Sequence, residues 1–433
     1  MKVGIVGAGP AGMALAVALN QTGVSWELFD SGSDFGGIWD RTRESSPIYD
    51  STHLISSAQM SAFPDFPMPA HYPDFPRHDL VLDYLRSYAE HHDLNRNAHF
   101  GVEVDGLTAH ETGKWLLHGK GEVELGMYDA VGVCTGHNWD AFVPVHEGTY
   151  GGQSLHSQSY RNSRPFDQQD VLIVGGGNSA CDIACDLVGS ARYVGVSLRR
   201  PYHFLPKRVL GIPLDQLTEP ALISDRLPKG FEMAGLYDLL PMLLEGYQGD
   251  MTRYGLAFPE HGILGANATL NSHFCDAVAH GEIHIFDAIE RFGDDCAVCF
   301  CDGTSREFDA IIYATGYDYH VQLVADMVPF SDDRPQLLLN MFPDFTQGVA
   351  VVGLFETAGA AFPVVTEQAA LAAAAFAAVD AGNAEAVRLL IENADQAAGR
   401  QGFVPTRRHS ISVQKADYVA AMRLVKEQIQ DIG

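Results

Sequence analysis

At 433 residues and 46% hydrophobic composition, the chain can support two or three domains, each with its own core, and needs no staples. Its 28 basic and 55 acidic residues give a net charge of −27, which excludes nucleic-acid backbones and anionic membranes as partners except through local basic patches. Seven cysteines, an odd number, do not suggest a disulfide framework.

The opening "MKVGIVGAGPAG" is strand-like from Lys2, with no basic-then-apolar leader, and predicts a cytoplasmic protein. "KVGIV" reads as a strand, Gly7 to Gly12 as a G-x-G-x-x-G turn, "MALAVALNQTG" as a helix ending at Gly23, and "VSWELF" as a second strand ending on Asp30. Gly7 permits the tight turn, Gly9 lets the backbone approach a pyrophosphate, and Gly12 lets helix pack closely on strand. The helix N-terminus, including Pro10 and Ala11, supplies partial positive charge, and Asp30 can accept from both ribose hydroxyls. Strand, glycines, helix, strand and acid in register predict a dinucleotide site.

Between residues 62 and 79, "AFPDFPMPAHYPDFPRHD" carries Phe63, Phe66, Tyr72 and Phe75 among its prolines, which predicts an ordered, packed loop rather than a polyproline ligand. A second unit starts at Asp170: strand "VLIVG", turn Gly175 to Ala180 ("GGGNSA"), helix "CDIACDLVG" and strand "YVGVSL". Gly175, Gly177, Asn178, Ser179 and Ala180 are its candidate phosphate-binding residues, with Ala180 a variant that still permits close packing. No acid follows the second strand. Arg199 and Arg200 stand there instead and can clamp a 2′-phosphate bidentately, predicting NADPH over NADH. The first site is then best filled by FAD, because one nicotinamide would otherwise have nothing to reduce.

Farther on, proline and glycine scatter through "PYHFLP", "GIPLD" and "DRLPKG", predicting a helical, loop-rich excursion over about 201–280. Cys296 and Cys299 in "CAVCFC" have dithiol spacing, yet the segment reads as a β-hairpin without a second cysteine pair, so no metal site is expected. Cys181 and Cys185, one helical turn apart, read as packing residues. The longest apolar run, Ala369 to Val379, is eleven residues, short of the roughly 20 of a membrane span, and predicts a buried alanine-rich helix.

One stretch remains, "YGGQSLHSQSY" (150 to 160), just ahead of the second unit. Its Tyr150, Gly152, His156 and Tyr160 match, with Tyr for the first Phe, the F-x-G-x-x-x-H-x-x-x-(Y/F) fingerprint of the flavin-containing monooxygenases, which the chain resembles from Met1 to about Tyr418. The related Baeyer-Villiger monooxygenases end a similar string in Trp. The resemblance extends to Gly36, Gly37 and Trp39 in "GGIW", against the FAD, and to the strand-end turns "CTGH", with Thr135, and "ATGY", with Thr315 and Gly316. It also covers "DFP" in the proline-rich span and the strand, loop and helix of "VVGLFETAGAAFPVVTEQAAL", where Pro363 suits the first helical turn and the helix N-terminus would face the flavin. The fingerprint is expected at the hinge between two units, with His156 as a hydrogen-bonding organiser.

The resemblance implies a two-domain α/β fold with two Rossmann-like units: a discontinuous FAD domain (1–164 and 291–433) and an inserted NADPH domain (165–290). It implies a monooxygenase that uses FAD, NADPH and dioxygen to oxygenate an amine, a sulfide or a ketone through a flavin hydroperoxide. A possible homodimer is part of the same expectation. The alternative is an NADPH oxidase or reductase of the same fold, producing hydrogen peroxide or reducing a small acceptor. A non-enzymatic flavin-binding module is a third, and finding that NADPH cannot reduce the flavin would favour it. One departure matters: the family's asparagine slot falls on Ile55, no asparagine occurs from Asp50 to Met60, and the accompanying lysine is Ala58. Ser56 and Ser57 are the candidate replacement donors, with Trp39 beside them.

Overall fold

The computed structural model describes residues 1–219, 242–244, 246–343, 348–399 and 402–432. The excursion expected around 201–280 is therefore described only in part, and its "DRLPKG" stretch lies outside the described residues. Two five-stranded parallel sheets organise the rest.

The first sheet runs, edge to edge, Val349–Val351, Ala130–Val133, Lys2–Val6, Ser25–Asp30 and Ala98–Phe100. Its central strands are unbroken apolar runs because helices and a small sheet cover both faces. Helix Pro10–Thr22 starts on proline and ends at Gly23 (φ 71°), where Gly23 N–H donates to Asn20 and Val24 N–H to Leu19. That left-handed cap stops the helix so that the chain can return as the next strand. Ala11 to Leu19 are all buried, wedged between the sheet and helix Phe362–Asp380. Alanines on the latter let the two helices approach closely, and it also packs on the last helix, Lys415–Ile432. Helix Phe362–Asp380 is long and apolar enough, at 19 residues, to cross a membrane by length and composition, but most of it is buried within the protein.

Taken from the opposite edge, the second sheet repeats the order over four strands, His284–Phe286, Tyr193–Ser197, Asp170–Val174 and Ala310–Tyr313, and ends on Gln153–His156. Each unit inserts a three-stranded antiparallel sheet between strands of its parallel sheet: Val104–Ala109, Trp115–Gly119 and Val123–Tyr128 ahead of Ala130–Val133 in the first; Ile289–Phe292, Ala297–Phe300 and Ser305–Glu307 ahead of Ala310–Tyr313 in the second. Cys299 sits inside the latter, in the expected hairpin, and Cys181 is in the second core.

This topology moves the expected boundaries. Strands Gln153–His156 and Ala310–Tyr313 pair within the second sheet, so that unit extends beyond 165–290 on both sides. The sequence points to its glycine turn but not to an edge strand recruited from upstream. The first unit is interrupted, since Val349–Val351 completes its sheet from late in the chain.

Candidate active site

The two glycine turns are built alike. A Cβ on Gly7 would lie 2.4 Å from Cys134 O, and one on Gly175 would lie 2.4 Å from Ala314 O. Both have positive φ, 112° and 126°, so each position requires glycine twice over. Gly12 is tighter still: its Cβ would meet Gly7 O at 1.8 Å. The helices that follow, Pro10–Thr22 and Asn178–Leu187, have no side-chain cap at Gly9 or Gly177. A Cβ on Gly9 would meet only Gly37 Cα, at 3.5 Å, and one on Gly177 only the Arg408 guanidinium, at 3.8 and 4.0 Å. Space in front of open helix N-termini is the cradle a pyrophosphate fills.

A single cavity of about 1650 Å³ joins the two units. That exceeds the roughly 300–1,000 Å³ of an ordinary small-ligand pocket. Gly7, Gly9, Pro10, Ala11, Asp30, Gly37, Trp39 and Thr135 line it from the first unit, and Asn178 and Ser179 from the second. The Asp30 carboxylate is already hydrogen-bonded within the protein: Ala8 N–H and Gly32 N–H donate to it at 2.6 Å each, and Arg43 pairs with it. Arg43, which the sequence reading missed, lines the cavity beside it. The loop Ala358–Phe362 turns the N-terminus of helix Phe362–Asp380 into the same space, with no acid in its first turn.

The other expected site residues divide. Ile55 and Ser56 both line the cavity, and Ser56 Oγ lies 2.7 Å from Ser61 Oγ. Ser57 is turned away. Its N–H and hydroxyl donate to Asp215 at 2.6 and 3.1 Å while Gln216 donates to the hydroxyl, so this serine anchors a neighbouring segment rather than facing substrate. Ala180 is wholly buried under its turn. Thr315 donates to the Phe142 carbonyl and Gly316 O accepts from Phe142 N–H at 3.0 Å, which ties the crossover between the units rather than lining the cavity. Arg199 is exposed beyond the second strand, and Arg200 lies 5.3 Å over the Tyr202 ring. Asn178 accepts from Leu270 N–H at 2.8 Å, fixing the turn.

The stretch 150–160 touches both units. Tyr150 hydroxyl donates to Phe308 O at 2.6 Å, and a Cβ on Gly152 would strike that same hydroxyl at 2.6 Å, which explains the glycine. His156 Nδ1 accepts from Gln158 N–H at 3.2 Å; burial lowers its pKa, the Gly316 backbone opposing, so the ring is neutral and structural. Tyr160 is buried and donates to Asp186 at 2.5 Å, while Gln158 donates to Trp139 O at 2.8 Å. Beside it, Tyr49 donates to Asp182 at 3.2 Å, and burial raises the Asp182 carboxyl. Both line the cavity and neither was singled out from the sequence.

The proline-rich span is the packed loop its aromatics predict: Phe63 stacks on Tyr88 at 4.0 Å and on Phe362 at 5.1 Å. It thus braces the helix whose N-terminus meets the cavity.

The profile of the family described as "Flavin-binding monooxygenase-like" matches residues 1–431. Flavin-containing monooxygenase 5 of Oryctolagus cuniculus is 28% identical over 454 residues, covering 100% of this chain and 82% of that protein. The human putative dimethylaniline monooxygenase [N-oxide-forming] 6 is 32% identical over 400 residues, covering 87% and 72%. The fold is shared with an oxidised steroid monooxygenase bound to NADP, at a TM-score of 0.71 and 16% identity, covering 100% of this chain and 98% of that one. Two open dinucleotide cradles on one cavity are what such a protein needs, and the chain belongs to the flavin-binding monooxygenase-like family, as an FAD- and NADPH-dependent oxidoreductase.

Proposed function

We propose that the chain transfers one oxygen atom from dioxygen to an amine, a sulfide or a ketone at the cavity wall formed by Trp39, Ile55 and Ser56. The observation that carries this is the single cavity running from Gly9 to Ser179, which lets two dinucleotides meet over one wall. When bound, NADPH supplies hydride and FAD activates the oxygen. The protein's part is to hold, orient and keep dry. Open helix N-termini at Gly9 and Gly177 would hold the two pyrophosphates. The N-terminus of helix Phe362–Asp380 favours negative charge where the flavin ring would lie. Ile55, Phe355, Phe362 and Val365 exclude water from the wall. Ser56, with Ser61 behind it, is the hydrogen-bond donor we assign to the oxygen being transferred. The relative named for N-oxide formation supports an amine among the substrates.

Ile55 favours a second reading, an NADPH oxidase, because a side chain without a donor stands in the family's asparagine slot. Isotopically heavy dioxygen separates the two. Turnover with NADPH and a panel of tertiary amines, sulfides and ketones should place one heavy oxygen in a product. Hydrogen peroxide alone, in proportion to NADPH consumed and indifferent to the panel, would instead establish the oxidase. The absence of nucleic-acid and membrane partners is part of the proposal and is supported by the net charge of −27; a cytoplasmic location is proposed with it. A homodimer is likewise proposed.

A further inference from the structure

Among the described residues, most arginines of this acidic chain are paired, as Arg43 is with Asp30, Arg192 with Asp170 and Asp309, and Arg407 with Asp318. Among the described residues, no carboxylate lies within ion-pair distance of Arg199, Arg200 or Arg408. Arg200 and Arg408 share one aromatic ring, and Arg199 is the chain neighbour of the former. Arg200 lies 5.3 Å and Arg408 5.8 Å from the Tyr202 ring, and a Cβ on Gly176 would strike that ring at 2.5 Å. Arg408 reaches farthest in: its Nη1 is 3.8 Å from where a Cβ of Gly177 would stand, in front of the uncapped helix, and the residue lines the cavity.

Arg408 does not belong to the second unit by sequence. It arrives from the segment that leads into the last helix, and that segment is pinned on every side. Arg407 pairs with Asp318 and stacks over Phe142 at 3.7 Å; Tyr319 hydroxyl donates to Arg408 O at 3.3 Å. His409 accepts from Asn267 N–H through Nε2 at 3.3 Å, which leaves Nδ1–H to donate to Thr406 Oγ1 at 2.9 Å. The guanidinium is thus presented at a fixed place rather than on a loose tail.

We propose that Arg408 clamps the pyrophosphate of the nicotinamide dinucleotide, while Arg199 and Arg200 read its 2′-phosphate. The second glycine of such a turn is the one whose backbone meets the pyrophosphate, and the unpaired fork beside Gly177 matches that anion's geometry. The inference rests on the second turn being the NADPH site. It has a consequence for assembly: bound dinucleotide ties the C-terminal segment to the second unit.

The pyrophosphate is common to both nicotinamide dinucleotides and the 2′-phosphate is not, which gives the test. Calorimetric titration of oxidised, FAD-loaded protein with NADP⁺ and with NAD⁺ should show Arg408→Ala weakening both by a similar factor, about 10- to 100-fold, the scale of a lost charge-assisted hydrogen-bond pair. Arg199→Ala should weaken NADP⁺ alone, and Arg408→Lys should fall between wild type and alanine. Unchanged binding by folded, FAD-loaded Arg408→Ala, or loss confined to NADP⁺, would overturn the assignment. Should that variant not fold, wild-type protein treated with phenylglyoxal and mapped by mass spectrometry gives the same answer. Saturating NAD⁺ should protect Arg408, and modification unaffected by NAD⁺ refutes the clamp. Wild type that binds neither dinucleotide would mean that the reading of the turn itself has failed.

Discussion

Gly12→Ala gives the sharpest test of how the first cradle is built. The added Cβ would sit 1.8 Å from Gly7 O and 3.0 Å from its carbonyl carbon, both backbone atoms that cannot rotate aside. Opening 1.8 Å to the 3.0 Å below which Cβ contacts are essentially unknown moves the helix start by at least 1.2 Å. Overpacking of this kind costs about 1–3 kcal/mol in stability, and it displaces the very N–H groups that face the pyrophosphate. The second unit supplies the contrast, because Ala180 occupies the matching position with its methyl wholly buried. Gly12→Ala protein should therefore purify with little flavin, and its melting temperature should not respond to added FAD. Wild type at FAD a hundredfold above Kd should gain about 2.7 kcal/mol from ligand linkage. Ala180→Gly should retain its flavin and lose only about 1 kcal/mol, the helix-propensity difference. Stoichiometric flavin and an unchanged melt in Gly12→Ala would refute the reasoning.

Other outcomes follow from single contacts. Arg199→Ala should raise KM for NADPH about 10- to 100-fold with KM for NADH nearly unchanged, measured by steady-state oxidation of each; equal effects would remove the 2′-phosphate assignment. Ser56→Ala should leave flavin reduction by NADPH intact while raising the peroxide released per NADPH consumed, and coupling as tight as wild type would argue that Ser56 donates nothing. Tyr160→Phe removes a 2.5 Å hydrogen bond to Asp186 and should lower stability in chemical denaturation by about 1.5–3 kcal/mol. His409 is pushed from 6.5 down to about 4 by burial and by Arg408 and Arg200. Its folded pKa lies below the unfolded one, so this contribution to stability is complete above pH 6.5 and is lost as pH falls from there to about 4. The melting temperature should fall more steeply between pH 6.5 and pH 4 in wild type than in His409→Gln, and parallel pH dependences would contradict it.

Local chemistry was legible wherever chain order and space coincide. Both strand, turn and helix units could be read because Gly7 and Gly175 answer a demand of the turn itself, a positive φ. The packing of Phe63 and Phe66 could be read because aromatics among prolines must find partners nearby. What was missed came from far away in sequence. Strand Gln153–His156 joins the second sheet through Ala310–Tyr313, and no local pattern announces that register. Ser57 resembled Ser56 until Asp215, more than 150 residues on, claimed its hydroxyl. Arg408 sat in "PTRRHS", a basic run in an acidic chain, a signal that was present and that only the fold connects to Gly177.

The central claim, that the cavity wall around Trp39, Ile55 and Ser56 supports oxygen transfer, is tested most directly by reoxidation. Protein reduced with NADPH in the absence of oxygen is mixed with aerated buffer, and the flavin spectrum is followed in time. The account predicts a lasting spectral phase that is neither reduced nor oxidised flavin, shortened by an amine, sulfide or ketone that becomes oxygenated. Direct return to oxidised flavin with stoichiometric peroxide, unchanged by every candidate substrate, would contradict it and make Ile55→Asn the first variant to build.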